Sequence, residues 1–440
     1  MRTVRVVALA AVTCLVAGSG ACAGGDGTGV TVLASWTGGE AAAFRQVLDR
    51  FTAKTGIRVS YQGTRALNQV LTTEVQKGTP PDIAVLPSLG DLASYVRRSA
   101  VRPLDDVINT GGEQSHSPQW LRLEQMENGN GRARYAVAVK TSLKSLIWFD
   151  PRRVPDLSGD APPTWDGLVR LSERLSAGDG AAWCMGMGST PVSGWPGTDW
   201  IEDLVLHRAG TTVYQRWAAG QVAWTAPEIR RAWTAWGQVA LRPGAVQGGA
   251  SGLLFTDFGD AGRSMYADPP GCFLHHQASF VVGDVAGYGG ATGPPRLGSD
   301  LDLVPFPSSG TRAWEVSADL AGLFTDKPEA RELMRFLATD DAQSIWPAVS
   351  HGSVFSANRG VDPAIYGNAV SRRIAQTLTG PAALCFDASD LMPSAMTNAF
   401  YRAVLEFLQA PERLDQILGQ LERVRTDIPA TDWLDAPCGA

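Results

Sequence analysis

The stretch Ser193-Gly-Trp-Pro-Gly-Thr-Asp-Trp200 combines residue types suited to ligand binding. A turn broken by glycine and proline presents Trp195, and the helix that follows is predicted to take Thr198 as its N-cap and to hold Asp199 in its first turn. A sugar ring has an apolar face and a rim of hydroxyls, which suits an aromatic ring beside helix-start N–H donors and a carboxylate. The alternative interpretation is that Trp195 only packs over the helix start.

Patterns that would indicate catalysis are missing from the sequence. It contains no Gly-x-Ser-x-Gly, no His-Glu-x-x-His and no phosphate-binding Gly-x-x-x-x-Gly-Lys. The pair His275–His276 lacks a third ligand at metal-binding spacing, so we expect these histidines to be packed or exposed side chains rather than metal ligands. Glu202 and Asp203 diverge by about 100° around a helix, so they do not face one substrate. Asp199 with Asp319 is the one carboxylate pair to consider, and hydrogen bonding to hydroxyls is its simpler role.

The N-terminus reads as an export signal, since a short positive region is followed by an apolar run too short to remain in a membrane. Gly20-Ala21-Cys22 resembles the lipobox of bacterial lipoproteins, in which the cysteine is acylated, although Ser19 stands where that motif usually has an aliphatic residue. We therefore expect a signal peptide over 1–21, lipidation at Cys22 and a flexible tether over 22–29. Without acylation the protein would be secreted.

Length and charge narrow the class of protein. Removal of the signal leaves 419 of the 440 residues and a formal charge of −8, because Arg2 and Arg5 are lost with it. A chain of this length suits two lobes better than one core. Its negative charge argues against nucleic acid and against attraction to anionic lipid, so any membrane association is expected through the anchor alone. The 14 tryptophans include some that could serve carbohydrate binding, whereas Trp233 and Trp236 lie on the inward face of a predicted helix and are expected in the core.

Alternating strands and helices are predicted in the first part of the mature chain. Such an order implies a mostly parallel, doubly wound sheet, whose ligands bind at the carboxyl ends of the strands. Trp36, Arg65 and Asp82 are assigned at or near such ends, although Asp82 precedes an apolar run and could equally anchor backbone. The predicted strands are 30–36, 57–61 and 81–87, and the predicted helices start at Gly38 and span 68–77 and 91–97. Helical spacing predicts that the first helix turns Phe44, Val47, Leu48 and Phe51 inward.

The order of several segments resembles the extracellular solute-binding proteins (family 1) of ABC importers. The segments are TVLASWTGGEAAAFRQVLDRFTAKTGIRVSY, PPDIAVLPSLGDL and YAVAVKTSLKSLIWFDP. Four more, SGWPGTDWIEDLVLHRAG, DPPGCFLHHQASF, ADLAGLF and FDASDLMPSA, are similar to the carbohydrate branch, particularly to alpha-glucoside-binding lipoproteins. Each motif is weak alone, but their collinearity covers nearly the whole mature chain.

The resemblance implies an α/β, periplasmic-binding-protein-like (type II) fold with two doubly wound lobes, a hinge and a cleft between them. Lobe 1 would comprise 30–139 and 312–349, and lobe 2 would comprise 140–311 and 350–440. It also implies a monomeric, non-enzymatic receptor on the outer face of the cell membrane, without cofactor or metal. Such a receptor passes a sugar or oligosaccharide to ABC permease subunits. An extracellular carbohydrate-active enzyme and a non-transport surface interaction protein remain as alternatives.

The residues expected to hold the sugar combine aromatic rings with groups that hydrogen-bond hydroxyls. Asp390 and Tyr401 are included because they fall in the family's C-terminal cleft segment. The expected ligand-binding residues are Trp36, Gly38, Glu40, Arg65, Asp82, Lys140, Trp195, Asp199, Asp319, Asp390 and Tyr401.

Four cysteines remain outside the signal and the lipobox, which suggests two disulfides in an exported protein. No Cys-x-x-Cys spacing occurs, so zinc is not expected. We predict the pairs Cys184–Cys272, within one lobe, and Cys385–Cys438, which would fix the tail. The other pairings would link the tail to central segments of lobe 2 and are less local.

Overall fold

The structure is a computed structural model. It describes residues 29–108, 116–127, 131–158, 164–178, 180–285, 287–288, 293–310, 312–350, 352–436 and 438–439. The predicted signal peptide, the lipidation site Cys22 and the tether up to residue 28 lie outside the described residues. No helix in the described part is both long and apolar enough to cross a membrane.

Strands and helices alternate through most of the described chain. The strands are β1 (Gly29–Ala34), β2 (Arg58–Gly63), β3 (Ile83–Leu86), β4 (Gln125–Glu127), β5 (Arg132–Arg134), β6 (Val137–Leu143), β7 (Leu146–Phe149), β8 (Ala181–Trp183), β9 (Cys272–His276), β10 (Asp302–Pro305), β11 (Ala313–Leu323) and β12 (Ala383–Phe386). The helices are α1 (Gly38–Thr55), α2 (Leu67–Gln76), α3 (Leu89–Arg97), α4 (Pro118–Leu123), α5 (Trp165–Ser176), α6 (Trp195–Ala209), α7 (Thr211–Ala218), α8 (Pro227–Ala240), α9 (Gly249–Phe255), α10 (Val281–Val285), α11 (Pro328–Leu337), α12 (Asp340–Val349), α13 (Ala369–Thr379), α14 (Ala388–Leu391), α15 (Ser394–Gln409) and α16 (Leu414–Asp427).

The larger sheet has the order β2-β1-β3-β11-β12, with β6 also pairing β11. β1 runs parallel to β2 and β3, as the predicted β–α alternation requires, whereas β11 joins β3 antiparallel. Helix α1 covers one face because its inward stripe, predicted from the helical spacing, is buried at Phe44, Val47, Leu48 and Phe51. The predicted α/β fold class is therefore confirmed.

The second sheet has the order β10-β7-β9-β8 and contains antiparallel pairs on both sides of β7. Helix α8 packs against α6 and buries Trp233 and Trp236 completely, in agreement with their predicted place in the core. A disulfide joins Cys184, directly after β8, to Cys272 at the start of β9, and a second joins Cys385 in β12 to Cys438 near the C-terminus. These are the two pairs expected from the sequence.

The strands β6 and β11 lie side by side over most of their length. Their pairing runs from Val316–Leu143 to Ala321–Val137 and is irregular between Asp319 and Leu320. The first residues of β11 pair with β12, and its last residues pair with β3. β11 therefore connects two separate groups of strands, and Asp319 stands near its middle, opposite Lys140.

Helix α6 begins earlier than the sequence suggested. Trp195 is its first residue and Gly194 is the N-cap, so the predicted N-cap role of Thr198 is wrong. Thr198 instead donates its hydroxyl to the carbonyl of Trp195 at 2.9 Å. Gly194 has φ +107°, and a Cβ there would lie 2.3 Å from the carbonyl oxygen of Tyr401. Only glycine therefore allows this turn to approach α15 so closely.

Candidate functional site

Trp195 belongs to a group of three partly exposed aromatic rings. Its ring centroid lies 5.0 Å from that of Phe258 and 6.0 Å from that of Phe280. Phe258 follows α9, and Phe280 immediately precedes α10. Rings that are partly exposed and held by neighbouring rings present an apolar surface of fixed orientation. We call Trp195, Phe258 and Phe280 the aromatic group.

A second set of side chains, which we call the Lys140 cluster, consists of Lys140, Glu40, Arg65 and Asp319. The Lys140 ammonium donates to Glu40 at 2.9 Å and lies 3.8 Å from Asp319, while Arg65 donates to Glu40 at 3.2 Å. The Glu40 and Arg65 side chains remain 37% and 53% exposed. The structure thus brings together four residues that the sequence placed far apart along the chain, with solvent access to two of them.

The charged groups of the Lys140 cluster shift one another's pKa values. Burial would raise the pKa of Glu40, but Lys140 and Arg65 outweigh this effect and hold it below the usual value. Burial would lower the pKa of Lys140, and Glu40 with Asp319 raises it instead. Burial raises the pKa of Asp319 despite the nearby ammonium. Glu40 and Lys140 therefore form a fixed ion pair that can orient a hydroxyl by donating to it or accepting from it.

Trp36 lies beneath this cluster rather than on its surface. The ring is only 2% exposed and packs against Phe44 and Trp346, with centroids 4.8 and 4.5 Å away. The expectation that Trp36 offers a face to the sugar must therefore be corrected: it supports Lys140, whose nitrogen is 6.0 Å from its centroid. Gly38, at the exposed start of α1, has φ +56°, a backbone conformation that favours glycine.

A buried counterpart, the Lys144 cluster, lies one residue beyond β6 and contains Lys144, Asp199, Glu315 and Asp387. The Lys144 ammonium donates to Asp199 at 2.9 Å and to Asp387, and it lies 3.8 Å from Glu315. Burial would lower its pKa, but these carboxylates raise it well above the usual value. Asp199 is only 3% exposed, so its expected place on the ligand surface must be corrected: it joins α6 to Lys144.

Carboxylate oxygens of Asp199, Glu315 and Asp387 lie within 4.8 Å of one another, a spacing that could hold a metal ion. Lys144 already contacts all three with its ammonium, so the cluster contains its own cation. Burial also raises the pKa of Asp199 to about 6 and that of Glu315 well above the usual value, which reduces the negative charge there. The donor set therefore fits a structural ion network rather than a metal.

Ser145, His207 and Asp203 have the composition of a hydrolytic triad. Ser145 Oγ lies 3.1 Å from His207 Nε2 and donates to Asp203, and His276 approaches Asp203 at 2.7 Å. All four residues are buried, and Ser145 also accepts from the Glu315 N–H. The hydrogen bonds join α6 to β9 and β11. A substrate has no approach to this serine, and the group fixes the position of α6.

Asp82 lies apart from the other predicted site residues. It precedes β3, at the amino end of a strand parallel to β1, whereas Trp36 and Glu40 follow the carboxyl end of β1. Its carboxylate accepts from the Thr31 N–H at 2.9 Å and also contacts Thr325 and Lys327. The expected ligand-binding role of Asp82 must be corrected, and the alternative of a backbone anchor describes it.

Asp390 and Tyr401 lie close to the Lys144 cluster and are partly exposed. Burial, helped by Asp387, raises the pKa of Asp390 well above its usual value, and its N–H donates to Asp387 at 2.9 Å. Burial together with Asp390 raises the pKa of Tyr401 in the same direction. Tyr401 is therefore neutral at pH 7 and can donate as well as accept hydrogen bonds, while the surroundings of Asp390 favour its protonated form more than water does.

Four residues of this region were missed from the sequence. Phe258 follows α9, Phe280 directly precedes α10, which contains Asp284, and Lys144 follows β6. The glycine- and aspartate-rich loop around 244–268 was a usable signal for Phe258, and Phe280 ends the segment DPPGCFLHHQASF. Asp284 lies in a short helix with no pattern around it, and its neighbours are contributed by distant segments.

The chain passes from the larger sheet to the second one where β6 leads into β7, and aromatic and charged side chains lie near this connection. Residues 35–344 match the model of the bacterial extracellular solute-binding protein family. Because this match covers more than half of the chain, the protein belongs to that family, whose fold is the type II periplasmic-binding-protein-like one predicted.

Relatives and solved structures agree with this placement. The chain is 30% identical over 400 residues to the osmoprotective compounds-binding protein GgtB of Synechocystis sp., covering 90% of this chain and 91% of that protein. It is also 30% identical over 411 residues to the alpha-glucosides-binding periplasmic protein AglE of Rhizobium meliloti, covering 89% and 86%. The solute receptor AcbH, described as preferring β-D-galactopyranose, matches with a TM-score of 0.73 at 18% identity over 91% of this chain and 98% of that one.

Proposed function

We propose that this protein is an extracellular substrate-binding lipoprotein that captures a sugar or oligosaccharide containing an α-glucoside and delivers it to an ABC permease. The observation that carries the proposal is the partly exposed aromatic group, with Trp195 6.0 Å from the Lys144 ammonium. A sugar can stack on these rings while polar side chains hold its hydroxyls. Membership in a solute-binding family favours capture over turnover.

The two parts of the site would come from different lobes. Under the division into 30–139 with 312–349 and 140–311 with 350–440, Glu40 and Arg65 belong to lobe 1 and the aromatic group belongs to lobe 2. Lys140 and Asp319 lie on the strands that connect the lobes. Closure of the lobes around a bound sugar would then bury it and create the form that docks on the permease.

The relative AglE is named for binding alpha-glucosides and aligns with 89% of this chain, which supports the choice of an α-glucoside. The name of GgtB widens the class to osmoprotective compounds. Ligand identity can be tested by thermal shift with maltose, trehalose, sucrose and maltotriose against cellobiose and galactose. A ligand at one hundred times its Kd adds about 2.7 kcal/mol to stability, which gives a measurable rise in Tm.

We expect at least one α-glucoside to raise the Tm and cellobiose to leave it unchanged. A rise with galactose or cellobiose alone would contradict the α-glucoside assignment and keep the sugar receptor. Release of reducing sugar from an oligosaccharide would instead support the carbohydrate-active enzyme. Failure of every sugar to shift the Tm would point to a surface interaction protein.

The lipid anchor is a separate part of the proposal and rests on Gly20-Ala21-Cys22. A Cys22→Ala protein should be released into the medium, while the wild type remains with the cell membrane. Retention of Cys22→Ala in the membrane fraction would contradict the anchor without affecting the sugar site. The receptor is proposed to act as a monomer.

A further inference from the structure

Asp284, in α10, has a carboxylate oxygen without a hydrogen-bond partner. Its Oδ2 atom is buried and unpaired among the described residues, although the residue as a whole is partly exposed. Buried polar atoms in native proteins are nearly always paired with protein, water or ligand. Because no described side chain bonds to this carboxyl group and the residue is partly exposed, a bound molecule can reach the group and supply a partner.

The position of Asp284 connects it to the aromatic group. It lies four residues after Phe280 in the chain. A Cβ built on Gly259, the neighbour of Phe258, would lie 3.8 Å from Asp284 Oδ1. The carboxyl group is therefore close to the backbone that carries one of the rings packed against Trp195.

Charged groups from several elements face Asp284. Glu40 of α1, Arg65 after β2 and Lys140 of β6 act on it electrostatically from the Lys140 cluster, and Asp257 acts on it from the loop after α9. Tyr288, which follows α10, also interacts with it. Asp284 is thus within electrostatic range of the Lys140 cluster and close to the backbone beside Phe258.

We propose that Asp284 is a ligand-contacting residue that determines specificity, with its carboxyl group hydrogen-bonded to a hydroxyl of the sugar. The inference rests on the proposed sugar-binding function and adds a residue to it. A carboxyl group in this place selects ligands with a hydroxyl at the matching position, because an analogue without that hydroxyl would displace water from the carboxyl group without replacing its hydrogen bond.

The electrostatics indicate which form of the acid binds. Burial raises the pKa of Asp284 to about 7, with Glu40 and Asp257 acting in the same direction and Lys140 and Arg65 opposing them. The protonated carboxyl both donates and accepts, as an amide does, whereas the carboxylate only accepts. If the sugar takes the donated hydrogen bond, binding favours the protonated form, and affinity falls as the pH rises through 7.

The test is calorimetric titration of maltose, trehalose and sucrose into the full-length protein and three variants. Asp284→Ala should bind at least about tenfold more weakly, whereas Asp284→Asn should stay close to the wild type at pH 6. Between pH 6 and pH 8.5 the wild-type affinity should fall by about tenfold or more, and that of Asp284→Asn should stay constant. Asp260→Asn is the matched control, since Asp260 is exposed, lies on the loop after α9 and pairs with Arg263.

Melting curves will show whether each variant is folded. Equal affinity of folded Asp284→Ala and the wild type would overturn the inference and leave the sugar receptor intact. A wild-type affinity that does not change between pH 6 and pH 8.5 would overturn the donor role. Absence of binding of all three sugars to the wild type would overturn the contact together with the α-glucoside assignment.

Discussion

Lys140 and Lys144 lie four residues apart at the connection between the two sheets, yet their surroundings differ. Lys140 contacts Glu40, which is 37% exposed, whereas the partners of Lys144 are at most 4% exposed. Each ammonium also lies 6.0 Å from a tryptophan ring, Trp36 for the first and Trp195 for the second. Both lysine side chains are 8% exposed, so the difference lies in their partners: Glu40 and Arg65 of the Lys140 cluster reach the solvent, and the partners of Lys144 do not.

The difference follows from desolvation. A buried charge must keep all of its partners, because the interior offers no water to replace them. A partly exposed charge can exchange a protein partner for water or for a hydroxyl of a ligand at little cost. We therefore assign recognition to the Lys140 cluster and the positioning of Trp195 to the Lys144 cluster.

The largest expected effect is on stability and comes from Lys144→Met. The substitution leaves Asp199, Glu315 and Asp387 without their cation, and breaking a buried pair in this way costs about 3–5 kcal/mol. Urea unfolding should show this loss or a failure to fold. Lys140→Met is the matched control. Its free energy of unfolding should fall by less than half as much, because water can solvate Glu40. Equal losses in the two variants would remove the distinction between the clusters.

The next largest effect is on binding and comes from Trp195→Ala. A central aromatic anchor commonly contributes at least about 2 kcal/mol, so we expect about a thirtyfold or greater rise in Kd without unfolding. Trp200 is the control, since it is 1% exposed and packs against Trp183 and His276.

Trp200→Ala should lower the Tm while the residual folded protein keeps its affinity. Calorimetry and melting curves on both variants separate the two roles. An unchanged Kd with a lower Tm in Trp195→Ala would place Trp195 in the core with Trp200 and remove the main argument for a stacked sugar.

A smaller loss of affinity is expected from Lys140→Met. The ammonium orients Glu40 and Asp319 and is itself a hydrogen-bond donor, so its removal should weaken sugar binding by about tenfold. Lys140→Arg should recover part of this affinity if charge is the requirement. Titration of the same sugar into both variants provides the measurement, and wild-type affinity in Lys140→Met would assign Lys140 to stability alone.

The smallest effect is the acid dependence of the Lys140 cluster. Because Lys140 and Arg65 hold the pKa of Glu40 below its usual value of 4.5, its carboxylate interactions are complete above that value and are lost as the pH falls through the lowered one. Glu40 therefore stays ionised between pH 7 and pH 5 and should not alter the sugar affinity in that range. Below pH 4.5 the affinity should decline as Glu40 is protonated.

Glu40→Gln should bind about threefold more weakly at pH 7 and lack this acid decline. The pH range of this decline is distinct from that of Asp284, whose pKa is about 7. A decline of the wild type that persists unchanged in Glu40→Gln would show that another carboxylate causes it.

The sequence by itself determined the fold class, the inward stripe of α1 and the core place of Trp233 and Trp236, because helical periodicity and strand alternation are local properties. It also named Trp195, Glu40, Lys140 and Asp319 as candidate ligand-binding residues, and their role stays a prediction. The N-cap at Thr198 was wrong, since the positive φ that starts α6 at Gly194 depends on contact with Tyr401, which is distant in the chain.

Only the tertiary structure decided which charged residues face the solvent. Asp82 and Asp199 have the same side chain as Asp319, and nothing adjacent to them in sequence reveals that Thr31 or Lys144 takes up their oxygens. Asp284 likewise has a buried oxygen that no described residue pairs, and its charged neighbours come from α1, β6 and the loop after α9, which are distant in the chain. Burial and electrostatic coupling are properties of the whole packed chain, and they determine whether a carboxylate binds a ligand or stabilises the fold.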